Sequence, residues 1–147
     1  VTDPTNLIPL FALAGSNMLT IHLESKGDTT ANLKYIKKSG MNAGLAIKPA
    51  TDWKEVIPYL PLCDMVLVMT VEPGYGGQGF IPQCADKVAM LRKYCNENGF
   101  DKMNIQVDGG INTATAATVK DAGANVLVAG TYLFRAKDMK AAADAIR

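Results

Sequence analysis

Two apolar patterns alternate along this chain. Short runs of aliphatic residues, bounded by turn formers, read as strands. They are NMLTIHLE from Asn17, NAGLAIKP from Asn42, DMVLVMTVEPG from Asp64, MNIQVDGG from Met103 and ANVLVAGT from Ala124. Between them apolar positions recur every three or four residues, the period of a helix with one buried face. ANLKYIKKSG places Leu33 and Ile36 together and stops at Gly40. PQCADKVAMLRKYCNENG aligns Val88, Leu91 and Cys95 and stops at Gly99. NTATAATVKDAG begins at Asn112, a good helix cap, and stops at Gly123. The opening VTDPTNLIPLFALAG also reads as a helix. The pattern predicts helix, glycine-containing turn and strand, repeated five times, and hence a parallel sheet covered by helices.

Two architectures accommodate five such units. A doubly wound, flavodoxin-like sheet would be complete at 147 residues. A (β/α)8 barrel needs eight units and about 250 residues, so this chain would form part of one. No linker, low-complexity stretch or charge block divides residues 1 to 147, which read as a single domain. The formal charge of +1 gives no electrostatic case for nucleic acid or an acidic membrane. No apolar run reaches the length of a membrane span. Cys63, Cys84 and Cys95 lack metal or redox spacing and read as reduced thiols, which points to the cytoplasm.

In either architecture function gathers where strands end and helices begin. Glycines crowd three of those points: Gly74, Gly76 and Gly77 around Tyr75, then Gly109 and Gly110, then Gly130 before Thr131. Bare backbone N–H groups at such turns suit an anion, although any one of them could simply make a tight turn. Asp108 shares a strand face with Gln106, opposite Ile105 and Val107, so it points away from the helices. It could hold a metal, move a proton or cap its turn. His22 shares a face with Thr20 and Glu24; a single histidine cannot build a zinc site, and it reads as a hydrogen-bonded supporting residue. Lys48 reads as a rim residue, and Met65, Leu67 and Met69 as core packing with a sugar-pocket floor as the alternative.

Taken in order, LVMTVEPGYGGQGF, IQVDGGIN and AGANVLVAGT, preceded by TIHLES and NAGLAIKPAT, resemble the ribulose-phosphate 3-epimerase family along the whole chain. The resemblance implies a (β/α)8 TIM barrel of which this chain supplies strands four to eight. It implies an isomerase that interconverts D-ribulose 5-phosphate and D-xylulose 5-phosphate in the pentose phosphate pathway. Asp108 matches the family's aspartate that is both metal ligand and acid/base. The cofactor implied is a divalent cation: zinc, iron(II), manganese or cobalt. Gly74, Tyr75, Gly76, Gly77, Gly109, Gly110, Gly130 and Thr131 match the substrate and phosphate loops, with Thr131 standing where serine is usual. Met69 matches a methionine lining the sugar pocket.

The family's serine of the first strand, histidine and aspartate of the second and histidine of the third have no counterpart in these residues. The chain alone is therefore expected to be inactive while keeping a phosphate cradle. Open strand edges near Asn17 and Val126, a wet inner face and self-association are expected with it. A non-catalytic phosphate-binding partial barrel and another phosphosugar barrel enzyme are the competing readings.

Overall fold

The computed structural model describes all residues from Val1 to Arg147. Five strands, β1 (Met18–His22), β2 (Asn42–Ile47), β3 (Met65–Met69), β4 (Asn104–Asp108) and β5 (Val126–Val128), lie in one sheet. Every neighbouring pair is parallel, and their order in space is their order in sequence. A doubly wound sheet reverses its strand order part-way, so this sequential order excludes the flavodoxin-like reading and is that of barrel strands. β1 and β5 are the two edges, as expected.

Pleating sends alternate residues to opposite faces. Ile21, Leu45, Ile47, Val66, Val68, Ile105 and Val107 point outward into one continuous core. The helices meet them there. α2 (Thr29–Lys38) supplies Leu33 and Ile36, and α3 (Gln83–Glu97) supplies Val88, Leu91 and Cys95. α4 (Thr113–Asp121) supplies Ala116 and Val119. The helical faces read from the sequence are the faces that pack. The opposite face of the sheet carries Thr20, His22, Gln106 and Asp108, all half-buried. It is not uniformly wet, because Ala46, Leu67, Met69 and Val71 form a small second cluster at its centre.

Two segments differ from the periodic pattern. The opening helix is confined to α1 (Ile8–Leu13). Before it, the Asp3 carboxylate accepts from Thr5 N–H at 3.0 Å and the Thr5 hydroxyl donates to Asn32 at 3.1 Å, which holds the chain in turns. Between β2 and β3, Trp53–Leu62 forms a 3₁₀ helix where the repeat expects an α-helix. Pro58 and Pro61 lie inside it; each lacks an N–H and would clash with the carbonyl four residues back in an α-helix. It still buries Val56 and Leu60, and Trp53 stacks at a tilt on Tyr94 of α3, 5.8 Å between centroids. The chain finishes in α5 (Gly130–Phe134) and α6 (Met139–Ile146). All three cysteines are buried and unpaired, and burial, reinforced by Asp64, pushes the Cys63 thiol up to about 12. No helix is long and apolar enough to cross a membrane.

Asn112 caps α4 as its sequence position predicts, accepting from the N–H groups of Ala114 at 2.9 Å and Thr115 at 3.2 Å. The Thr115 hydroxyl accepts from Asn112 N–H and donates to the Gly110 carbonyl, so the cap also fixes the turn after β4. Asn112→Ala is expected to lower unfolding free energy by about 1 kcal/mol, read as a shift of the urea midpoint with unchanged slope.

Candidate functional site

At the carboxyl ends of β3, β4 and β5 lies one cleft of about 1110 Å³. Its walls bring together Met69, Gly74, Tyr75, Gly76, Gly77, Asp108, Gly109, Gly110, Gly130 and Thr131, residues drawn from three separate strand ends. His22 and Lys48 stand at the ends of β1 and β2, outside that lining.

The cleft is organised by a residue that the motif reading passed over. Thr70, fully buried one position past β3, donates its hydroxyl to the Gly109 carbonyl at 2.6 Å. Its N–H donates to the Asp108 carbonyl, and its carbonyl accepts from Ile81 N–H. One residue thus joins the end of β3, the turn after β4 and the far stem of the glycine loop. No sequence signal marked it, because a threonine at the end of an apolar run looks like any strand terminus.

Gly109 and Gly110 have a packing role of their own. Both hold positive φ, 124° and 65°. A Cβ at Gly109 would sit 2.5 Å from a Val71 methyl carbon and 2.8 Å from Val71 N; at Gly110 it would meet Phe80 N at 2.5 Å. The turn after β4 is wedged between the two stems of the 71–80 loop, and only glycine fits. The loop's tip is different. Gly76 has only the Thr131 hydroxyl near its missing Cβ, at 3.8 Å, so the tip reaches across the cleft toward the start of α5. The Gln78 amide ties that tip inward, donating to the Glu72 carbonyl at 2.6 Å and the Tyr75 carbonyl at 2.9 Å.

The α5 end of the cleft is open around Gly130, where nothing lies within 4 Å of a Cβ. The first N–H groups of a helix have no carbonyl of their own helix to bond. Tyr132 fixes the orientation of α5 through its hydroxyl, 2.9 Å from that of Thr113. Arg135 is the one cation in the lining, which also holds the carboxylates Glu72 and Asp108. Its signal was present in the sequence as a basic residue just over one turn beyond Gly130.

Asp108 stands half-buried at the end of β4, beside Met69 by strand register. Burial pushes its carboxyl above the ordinary value of 3.8, and no charged or hydrogen-bonding neighbour offsets that. Nowhere do three or more His, Cys, Asp or Glu side chains converge as metal ligands. Asp108 brings a single carboxylate, so these residues do not by themselves compose the site that a divalent cation needs.

The model of the family described as "Ribulose-phosphate 3 epimerase family" matches residues 1–134. The chain belongs to that family. It is 45% identical over 138 residues to a ribulose-phosphate 3-epimerase of Candida glabrata, covering 94% of this chain and 54% of the yeast protein. It is 37% identical over 147 residues to that of Bacillus subtilis, covering 100% of this chain and 68% of the bacterial one. The chain thus spans between about half and two thirds of the length of these relatives. Among solved structures, a 3-hexulose-6-phosphate synthase superposes with a TM-score of 0.71 at 19% identity, covering 99% of this chain and 68% of that one. The likeness shows the fold, a partial (β/α)8 barrel.

Two outcomes are expected. Gly110→Ala should destabilise by at least about 2 kcal/mol, combining a clash with backbone and a strained φ, whereas Gly76→Ala should change chemical denaturation by less than about 0.5 kcal/mol. For Asp108 the protonated form is favoured by folding, so its contribution is complete below pH 3.8 and is lost as pH rises through the elevated folded-state value. Melting curves should therefore show the wild type falling relative to Asp108→Asn between acid and neutral pH.

Proposed function

We propose that these residues form the phosphate-gripping, carboxylate-bearing side of an enzyme that epimerises D-ribulose 5-phosphate and D-xylulose 5-phosphate at C3. The observation that carries this reading is the convergence, in one cleft, of the glycine loop, the turn after β4 and the start of α5 around the half-buried carboxylate of Asp108. Membership of the epimerase family supports it.

In this reading the phosphate rests on the backbone around Gly109, Gly110, Gly130 and Thr131, with Arg135 adding charge. Met69 packs against the sugar chain. The open tip of the loop around Tyr75 closes over the substrate and excludes water. Asp108 takes the C3 proton from one face. Inversion needs an acid on the opposite face, and we assign that acid, with the further ligands of the divalent ion the family implies, to segments corresponding to the additional length of the relatives. No step through the metal is assigned to these 147 residues.

The test is turnover of ribulose 5-phosphate by the intact protein that carries these residues. Asp108→Asn should reduce kcat by about 10²- to 10⁴-fold and leave binding of inorganic phosphate nearly unchanged. The 147-residue chain alone should bind phosphate without turnover. A variant lacking the Asp108 carboxylate that turns over at the wild-type rate overturns the assignment.

A further inference from the structure

At the opposite side of the barrel mouth, three elements meet in a chain of hydrogen bonds that the cleft does not use. Leu19, Ile21 and Leu23 pack toward the helices, so Thr20, His22 and Glu24 face the barrel interior. His22 aligns through Ala46 and Leu67 with Gln106, one inward position below Met69 and Asp108. Its Nδ1 lies 3.1 Å from Glu24 Oε2, and Glu24 is its only protein partner.

Glu24 is itself held. Its other oxygen, Oε1, accepts from Lys48 N–H at 2.8 Å and from the Thr51 hydroxyl. Burial alone would raise this carboxyl, but those hydrogen bonds outweigh it and hold the group below its ordinary value of 4.5, hence ionised. The Thr51 carbonyl in turn accepts from Lys87 of α3, whose ammonium also donates to the carbonyls of Lys48 at 3.0 Å and Pro49 at 2.9 Å. All three ammonium donors are used. The loop after β2 is therefore pinned, and with it the orientation of Glu24.

An ionised carboxylate facing Nδ1 can only accept, so in the neutral ring the proton sits on Nδ1 and Nε2 keeps a lone pair. We propose that His22 is a sugar-binding residue of the barrel mouth, its Nε2 accepting a hydrogen bond from a substrate hydroxyl, with Glu24, Thr51 and Lys87 as its positioning residues. This rests on the pentose-phosphate reading of the cleft. It gives a role to the rim of β1 and β2, on the far side of the mouth from the phosphate-gripping turns.

Glu24→Gln gives a sharp test. Because Oε1 is committed to two donors, the amide nitrogen of glutamine falls on the side of His22 and becomes a donor. The ring proton must then move to Nε2. In the ¹⁵N-labelled intact protein, with the ring resonances assigned by their loss in His22→Asn, the wild type should show an Nδ1–H tautomer and Glu24→Gln an Nε2–H tautomer. Ribulose 5-phosphate should shift the wild-type Nε2 resonance, while inorganic phosphate should not. His22→Asn should raise KM about two- to tenfold, the size of one hydrogen bond, with a smaller effect on kcat. An Nε2–H tautomer in the wild type, or ribulose 5-phosphate binding that leaves Nε2 unmoved, overturns the role of His22 alone. Failure of both ribulose 5-phosphate and phosphate to bind overturns the cleft reading, and the role of His22 with it.

Discussion

Parallel pairing of five successive strands places a constraint on every other part of this molecule. Because each strand runs the same way, all five carboxyl ends arrive at one rim, and because each is pleated, every second residue faces away from the helices. The outward set is aliphatic and is buried under α2, α3, α4 and the 3₁₀ helix. Removing that much apolar surface from water is the main favourable term for a sheet of this kind. The inward set can then carry polar groups, and it does: His22 on β1, Gln106 and Asp108 on β4.

Loops at the rim would still be independent of one another without the contacts made by Thr70. Its three hydrogen bonds link the β3 end, the β4 turn and the stem of the glycine loop, and the close approach of Val71 and Phe80 to Gly109 and Gly110 completes the joint. The glycines of the cleft thus divide by physical role. Those after β4 let backbone pack on backbone, while Gly76 and Gly130 leave open space where a ligand could approach. A rigid base beside an open tip is the arrangement expected of a loop that closes over a substrate.

The charged groups of the rim are stabilised very differently. Asp108 is desolvated without a partner, which costs the ionised form and leaves the carboxyl primed to take a proton. Glu24 is also partly buried, yet backbone and hydroxyl donors compensate it, and it stays ionised. Similar burial therefore favours the protonated carboxyl in one place and an ionised acceptor in the other. The difference lies in which donors the neighbouring loops deliver.

Much of the fold was legible in the sequence because periodicity reports burial directly. The strand runs, the buried faces of α2 and α3, the Asn112 cap and the inward direction of Asp108 follow from residue spacing alone. Ordered glycine motifs were enough to point to the family, and the family's model matches residues 1–134. The 3₁₀ helix was not anticipated because helical spacing of apolar residues hides the local effect of Pro58 and Pro61 on the hydrogen-bond ladder. Thr70, the wedge around Gly109 and Gly110, and the chain from Lys87 through Thr51 and Glu24 to His22 belong to tertiary structure only. Each depends on contacts between residues far apart in sequence, made by side chains whose type allows many partners, and only the packed sheet selects one.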